Sequence, residues 1–521
     1  MKYQKILLSL VLAVLVHTDV AYRILCIYPY QGKSHFQMFG TLSRALAKRG
    51  HKVDVISHFP TEKPLANYTD IINLSGKGIY SAISVEEWRK MQLQVTYFIA
   101  TMFGNSICDL LFREEMQNFI KNPPNDPPYD LVIAQYFGSP CYLGFGNLLN
   151  VPVVIVTSFL EFPFINTFMG NTQNDAFFSG FFNENPSIET FFDRLWNAYT
   201  NYHAVIVFQH YSAVQTDIMR KAMALPHMPD VRALERQVAL ALVNTHYSYY
   251  GVKPITPAMI EVGGLHVVEE APKLSPEIKK WLDSADHGLV YFSLGTILNI
   301  EKFPEETVLK LYRSLAKISP IKVLMKSTNA SDLPAGLPSN VLTASWVSQF
   351  SVLKHKNTRV FVTHGGLMGT QEAIYCGVPM IGIPVFADQV KNIKTLEHKN
   401  VAVLLDSLNI TEQGMDSALN KLLHDPKYRE SAKRMSRLFR DRPMSAVDTA
   451  IYWIEYVVRN GPDSLRSSAT ELPWWKITLI DVFAFLAVCF ALLIYSLWLL
   501  LKLLSRNLYR RSLVPLEKKL K

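Results

Sequence analysis

The sequence predicts an α/β protein of two Rossmann-like domains followed by one membrane helix. Three observations carry this. Apolar, β-branched runs alternate with amphipathic helical stretches along most of the chain, as βαβ units on parallel sheets require. Between Trp346 and Gln389 one dense block reads Trp346-Val-Ser-Gln349, Thr363-His364-Gly365-Gly366, Glu372, Gly377-Val378-Pro379 and Asp388-Gln389. Residues 482–501 hold no charge, a length that lets a helix cross the hydrocarbon core at about 1.5 Å per residue.

Length and composition bound the rest. At 521 residues, with 49% hydrophobic and 19% charged, the chain is globular and long enough for two full cores. Lys2 and Lys5 precede the apolar run 6–16 and a small residue, Ala21, so residues 1–21 read as a secretory signal peptide. The first domain is expected over 22–250, with strands at 23–28, 52–57, 130–134 and 153–157, a turn at 31–35 and a helix at 36–48. Pro254, Pro257, Pro272 and Pro276 mark 251–286 as a connecting region. The second domain, 287–460, is expected to hold strands at 288–294, 321–326 and 359–363, helices from Pro304 and around 370–376, and a return helix at 446–458. A juxtamembrane segment (461–476) bearing Trp474 and Trp475, a transmembrane helix (477–501) and a basic cytosolic tail (502–521) complete the chain.

Seven Lys or Arg and one Glu lie from Lys502 onward, so most of the formal charge of +9 is topological and does not argue for nucleic acid. Lys518, Lys519 and Lys521 fit a dilysine retrieval signal, with attraction to anionic lipid as the plainer reading. Sequons at Asn67, Asn73, Asn329 and Asn409 are glycosylation candidates for a lumenal domain. Five cysteines, Cys26, Cys108, Cys141, Cys376 and Cys489, show no ligand spacing; no metal site and at most one disulfide are expected.

The central block supplies each part of a sugar nucleotide with a suitable partner. The Gly365-Gly366 pair after an apolar strand allows a sharp turn into a helix, whose N–H groups and positive end favour a diphosphate, with His364 beside them. An aromatic face suits a base, and carboxylates suit hydroxyls. Taken singly, Trp346 could equally be a core aromatic and Asp388 a helix N-cap.

The order and spacing of these residues resemble the signature of the animal membrane-bound UDP-glycosyltransferases. The resemblance extends to Phe292-Ser293-Leu-Gly295-Thr296, to Arg442-Pro443 with Asp448, Trp453 and Glu455, and to Gln31-Gly32-Lys-Ser-His35 with Arg49-Gly50-His51. It implies the GT-B arrangement, two Rossmann-like domains around an interdomain cleft, and transfer of a hexose from a UDP-sugar. By resemblance, Trp346 stacks on uracil, Gln349 meets the base edge, and His364, Gly366 and Gly369 hold the diphosphate. Glu372 takes the ribose hydroxyls, and Asp388 and Gln389 grip the sugar; Ser293, Gly295 and Thr296 complete the donor side. Met368 stands where vertebrate relatives commonly have Asn, a pattern closer to invertebrate members, which implies UDP-glucose.

His35 matches the family's catalytic base, a role imidazole can fill near neutrality. The acidic residue that orients this base in relatives is replaced by Gln135, which can hold a tautomer but cannot stabilise imidazolium; Glu161 is the substitute acid to consider. The aromatic-rich stretch 159–192 suggests an apolar acceptor pocket or a membrane-facing flank.

The expected protein is an endoplasmic-reticulum, single-pass type I membrane glycosyltransferase that conjugates glucose to small lipophilic acceptors, as in detoxification. The UDP-sugar is a co-substrate and no separate cofactor is expected; membrane lipid is a partner, and a homo- or hetero-oligomer is left open. A catalytically impaired sugar-nucleotide or ligand-binding protein is the alternative that Gln135 motivates. A sugar-nucleotide epimerase is disfavoured by the anchor.

Overall fold

The computed structural model describes residues 21–76, 94–172, 174–268, 272–295 and 298–517. Thr296, the signal peptide up to residue 20 and the dilysine tail lie outside the described residues. The first sheet contains β1 (Arg23–Tyr28), β2 (Lys52–Ser57), β3 (Tyr68–Asn73), β4 (Leu131–Gln135), β5 (Val153–Thr157), β6 (Leu240–Val243) and β7 (Met259–Glu261). All its pairings are parallel, in the order β3-β2-β1-β4-β5-β6-β7. The second contains β8 (Leu289–Ser293), β9 (Lys322–Lys326), β10 (Val341–Ala344), β11 (Thr358–Thr363), β12 (Met380–Gly382) and β13 (Ala402–Leu404), in the order β10-β9-β8-β11-β12-β13. Both are doubly wound, with the chain reversing direction across the sheet beside the first strand of each. The central strands β4, β5, β6 and β8 are buried along their whole length, which is why they read as continuous apolar runs and not as alternating ones.

Four helices position the site. The first, α1 (Lys33–Lys48), starts three residues earlier than the sequence suggests, because Gly32 serves as its N-cap and Phe36 N bonds Gly32 O at 2.9 Å. His35 therefore sits in a first helical turn instead of ending a loop. The second, α2 (Leu367–Cys376), follows β11 through Gly366 and is stopped by Gly377 in a left-handed conformation (φ 67°), the usual helix-ending use of glycine. Next comes α3 (Gln389–His398). The last, α4 (Ala446–Asn460), crosses back onto the first domain: Ala446, Ala450, Ile454 and Val457 pack with Ile24, Cys26, Leu42 and Leu46. Its Glu455 accepts from Arg49 Nε at 3.2 Å and lies 3.1 Å from His51 Nε2, so the Arg49-Gly50-His51 motif is the landing point of the return helix.

The proline-rich connection is more structured than its composition suggests. Met259–Glu261 pairs with β6 as the edge of the first sheet, and Pro276–Asp283 forms a helix capped by Ser275. Cys108 and Cys141 form the one disulfide among the described residues. All four sequon asparagines are exposed.

Residues 468–521 form a separate compact unit. Within it, helix Ile480–Glu517 runs 38 residues, and Ile480–Tyr509 is long and apolar enough to cross a membrane. The helix thus continues past residue 501 into the basic segment. Val95–Phe112, at 18 residues, is also long and apolar enough, but it is shorter and less apolar, is broken by a π turn at Thr101–Asn105 and buries Ile99, Phe103, Ile107 and Leu111 in the core.

Candidate active site

A cavity of about 1050 Å³ opens where the carboxyl ends of the two sheets face each other. Its wall from the first domain is built after β1, β4 and β5; the opposite wall is built after β8 and β11, where doubly wound sheets bind ligands. His35, Ser293, Gly295, Trp346, Gln349, His364, Gly366, Gly369, Glu372, Asp388 and Gln389 all line it. Of the described candidates for catalysis or donor binding, Gln135 and the substitute acid Glu161 do not.

On the second-domain side β11 delivers His364, and Gly365 (φ 84°) turns the chain into α2. The imidazole is held between two glycines. A Cβ on Gly295 would lie 2.5 Å from His364 Cε1, and one on Gly366 would lie 2.5 Å from Nε2. Burial first, then the nearby Lys326, pushes His364 down to about 4, so it is neutral at physiological pH; its buried Nδ1 has no partner among the described residues. Lys326 Nζ donates to Gly295 O at 2.5 Å. Neither side chain nor cap covers the first N–H groups of α2, so helix end and imidazole together offer hydrogen-bond donors to an anion. Met368 turns its sulfur to Asn244 Nδ2, at 3.6 Å, and its carbonyl to His266 Nε2, at 3.0 Å.

Beside this turn Gln349 Nε2 donates to Glu372 Oε2 at 2.6 Å, and Gly369 keeps the approach open, since a Cβ there would meet Gln349 Nε2 at 2.9 Å. Burial raises Glu372 to about 7. Trp346 is 66% exposed on the cavity rim, which rules out the core-aromatic reading. Asp388 does occupy the N-cap position of α3, but its carboxylate accepts from Asn392 Nδ2 at 2.7 Å and makes no cap bond; burial raises it to about 6. Gln389 Oε1 accepts from Val385 N and Phe386 N at 2.9 and 3.2 Å, closing the loop that presents both residues. Ser293 Oγ accepts from Gly295 N at 3.4 Å.

The first-domain wall is aromatic around His35 and charged further along, where Arg44, Lys48, Glu62 and Lys63 line it. His35 lies within 4.8 to 6.2 Å, ring to ring, of Phe159, Tyr30 and Phe137, and a Cβ on Gly32 would press on its Cδ2 at 2.6 Å. Its Nδ1 is 2.6 Å from Ser158 Oγ. Burial pushes the imidazole down to about 4. Gln135 is not its partner: the Gln135 Oε1 accepts from Tyr30 N at 3.3 Å, one step back from the site. Glu161 does not substitute either, because it pairs with Lys253. Ser158 is the residue that sequence reasoning passes over. The available signal was positional, a hydroxyl one residue beyond the end of β5. The aromatic-rich stretch divides three ways: Phe159 and Phe181 line the cavity, Phe162, Phe164 and Phe168 fill the core, and Phe191 and Phe192 are exposed.

Comparison with known proteins agrees with this geometry. A family model described as "UDP-glucoronosyl and UDP-glucosyl transferase" matches residues 32–513. A UDP-glucosyltransferase 2 from Dactylopius coccus is 33% identical over 98% of both chains, and a UDP-glycosyltransferase UGT5 from the same organism is 34% identical over 89% of both. A human UDP-glucuronosyltransferase 2B15 is 28% identical over 89% of both. Among solved structures, the glycotransferase of kitacinnamycin aligns with a TM-score of 0.57 at 16% identity, covering 84% of this chain and 99% of that one. The calicheamicin glycosyltransferase CalG4 aligns at 0.55 and 19%, with the same coverage, and both show the GT-B fold. With that fold, one cavity fed by both sheets and a family match across nearly the whole length, the chain belongs to the UDP-glucuronosyl and UDP-glucosyl transferase family and is a UDP-glycosyltransferase.

Proposed function

We propose that this glycosyltransferase moves glucose from UDP-glucose to a hydroxyl of small lipophilic acceptors, with inversion, from the lumenal face of the endoplasmic reticulum. The observation that carries the chemistry is that His35 and the donor residues line one cavity. In the reaction the acceptor oxygen bonds to the anomeric carbon as its proton passes to His35 Nε2. The bond from that carbon to the diphosphate breaks on the opposite face, and UDP leaves with the electron pair. The α2 N–H groups and His364 receive the growing negative charge. Glucose is favoured because Asp388 meets the sugar with a carboxylate, which suits neutral hydroxyls better than a glucuronate; the similarity to a UDP-glucosyltransferase points the same way. The aromatic wall favours lipophilic acceptors. Exposed sequons, a disulfide and a C-terminal apolar helix support the lumenal, anchored reading.

The test is turnover of radiolabelled UDP-glucose beside UDP-glucuronate by microsomes holding the full chain, with a panel of phenols and lipophilic alcohols. Product from glucose supports the reading; product from glucuronate alone overturns the donor. His35→Ala is expected to abolish transfer to alcohols with UDP affinity nearly unchanged, and a loss of UDP binding would sink this division of labour.

A further inference from the structure

We propose that Ser158 is the positioning residue of His35, holding at Nδ1 the place a carboxylate would take in a charge-stabilised dyad, and that the site therefore selects acceptors with acidic hydroxyls, phenols and enols, over aliphatic alcohols. The inference rests on His35 being the base, as read above, and deepens that reading.

The geometry begins with the 2.6 Å contact between His35 Nδ1 and Ser158 Oγ. For Nε2 to take a proton, Nδ1 must carry one, and Ser158 Oγ is placed to accept it. Ser158 is itself fixed, since it is buried after β5 and its carbonyl accepts from Asn244 Nδ2 at 3.0 Å. A hydroxyl sets the tautomer as a carboxylate would, but it carries no charge to stabilise imidazolium once the proton has moved.

Among the described residues, no other group in contact with His35 supplies that charge. Around His35 are Tyr30 after β1, Phe137 after β4 and Phe159 after β5; Gln135 is neutral, and Glu161 pairs with Lys253 and does not line the cavity. Burial is the sole cause of the imidazole's low proton affinity, with no contribution from a charged side chain. The cavity also holds Lys33, Arg44, Lys48, His58, Glu62 and Lys63 on the His35 side, His266 beside Met368 and, across it, Lys326, His364 and the carboxyls of Glu372 and Asp388, the last two given to the donor. A base this weak must act on a proton that is already loosely held. The driving force for general-base transfer falls as the gap between base and acceptor pKa widens, so alcohols suffer most.

The experiment uses the full chain in microsomes with UDP-glucose, a series of phenols of graded acidity and a cyclic alcohol of matched size. Wild type should turn over the acidic phenols at least about a hundredfold faster than the alcohol. Ser158→Ala should lower kcat about tenfold, leave KM for UDP-glucose unchanged and alter the pH profile of kcat, with Ser158→Thr restoring both. Ser158→Asp should raise the lower pKa of that profile and lift turnover of the alcohol more than of the phenols. UDP affinity reports folding; if the Asp variant loses it, the Ala and Thr pair decides. Unchanged kcat and pH profile in Ser158→Ala, or equal wild-type turnover of alcohol and phenols, overturns the proposal. Full turnover of both acceptors by His35→Ala instead overturns the underlying assignment of the base.

Discussion

Trp346 and Glu372 show how far one side chain's surroundings decide its use. An aromatic ring 66% exposed on a cavity rim contributes little to the core, so its place is explained by what it can stack on. Trp346→Ala should weaken UDP-glucose binding by about 1 to 3 kcal/mol with the thermal midpoint unchanged, as read by calorimetric titration and a melting scan. Glu372 makes the opposite point, a carboxyl buried beside a neutral amide and raised to about 7. If, as proposed, its ionised form accepts two ribose hydroxyls, donor binding must release the proton it holds in the free protein. Affinity for UDP-glucose, which has no group of its own titrating near neutrality, should therefore rise with pH through about 7 and level off above it. Between pH 6 and 8 the gain should approach about tenfold. Asp388, raised to about 6, adds in the same direction at the lower end. Glu372→Gln should flatten most of this slope; a slope that survives intact assigns the proton elsewhere.

At the scale of elements, the aromatic wall depends on a staple. The Cys108–Cys141 bridge joins the end of the Val95–Phe112 segment to the turn Pro140–Leu143 just after β4, closing a separation of 33 residues. Phe103 and Phe137, 5.2 Å apart ring to ring, approach each other close to that bridge in sequence and both face the cavity. Gln215 braces the same corner, donating to Asn105 Oδ1 and Gly138 O at 2.9 and 2.8 Å. In the chain-entropy account a loop of this size is worth about 3 to 4 kcal/mol. Reduction should therefore lower the melting temperature and raise KM for the acceptor more than for UDP-glucose; equal effects on both would detach the bridge from the acceptor wall. Seven of the thirteen described strands and the α2 turn were legible in advance, because long buried parallel strands are continuous apolar runs and a double glycine leaves few turns to choose from; the other six, β3, β6, β7, β10, β12 and β13, were not named, most of them being only three or four residues long. The start of α1 was not, since Gly32-Lys-Ser-His35 looks like a loop until Gly32 is seen as a cap beneath the histidine ring.

For the whole molecule, both sheets repeat one strand order and turn their carboxyl edges toward the same space. The residues lining the cavity run no further than Gln389, and all of them precede the separate unit that begins at Ser468. A chain ended at Ser467 should leave the membrane fraction yet bind UDP-glucose within about threefold of the full chain, since no contact with the ligand is removed. Loss of binding would mean that the anchor shapes the donor site.

The sequence by itself determined the alternation of strands and helices, the donor block and the apolar C-terminal helix, because each follows from local composition and spacing. Only the tertiary structure decided what meets His35. Ser158 is 123 residues away in sequence and reaches it because β1 and β5 lie in the same sheet on either side of β4, while Gln135 turns its amide to Tyr30. Which of two polar side chains at neighbouring strand ends faces a third is set by strand order and side-chain direction in the packed sheet, and residue identity along the chain carries no record of that choice.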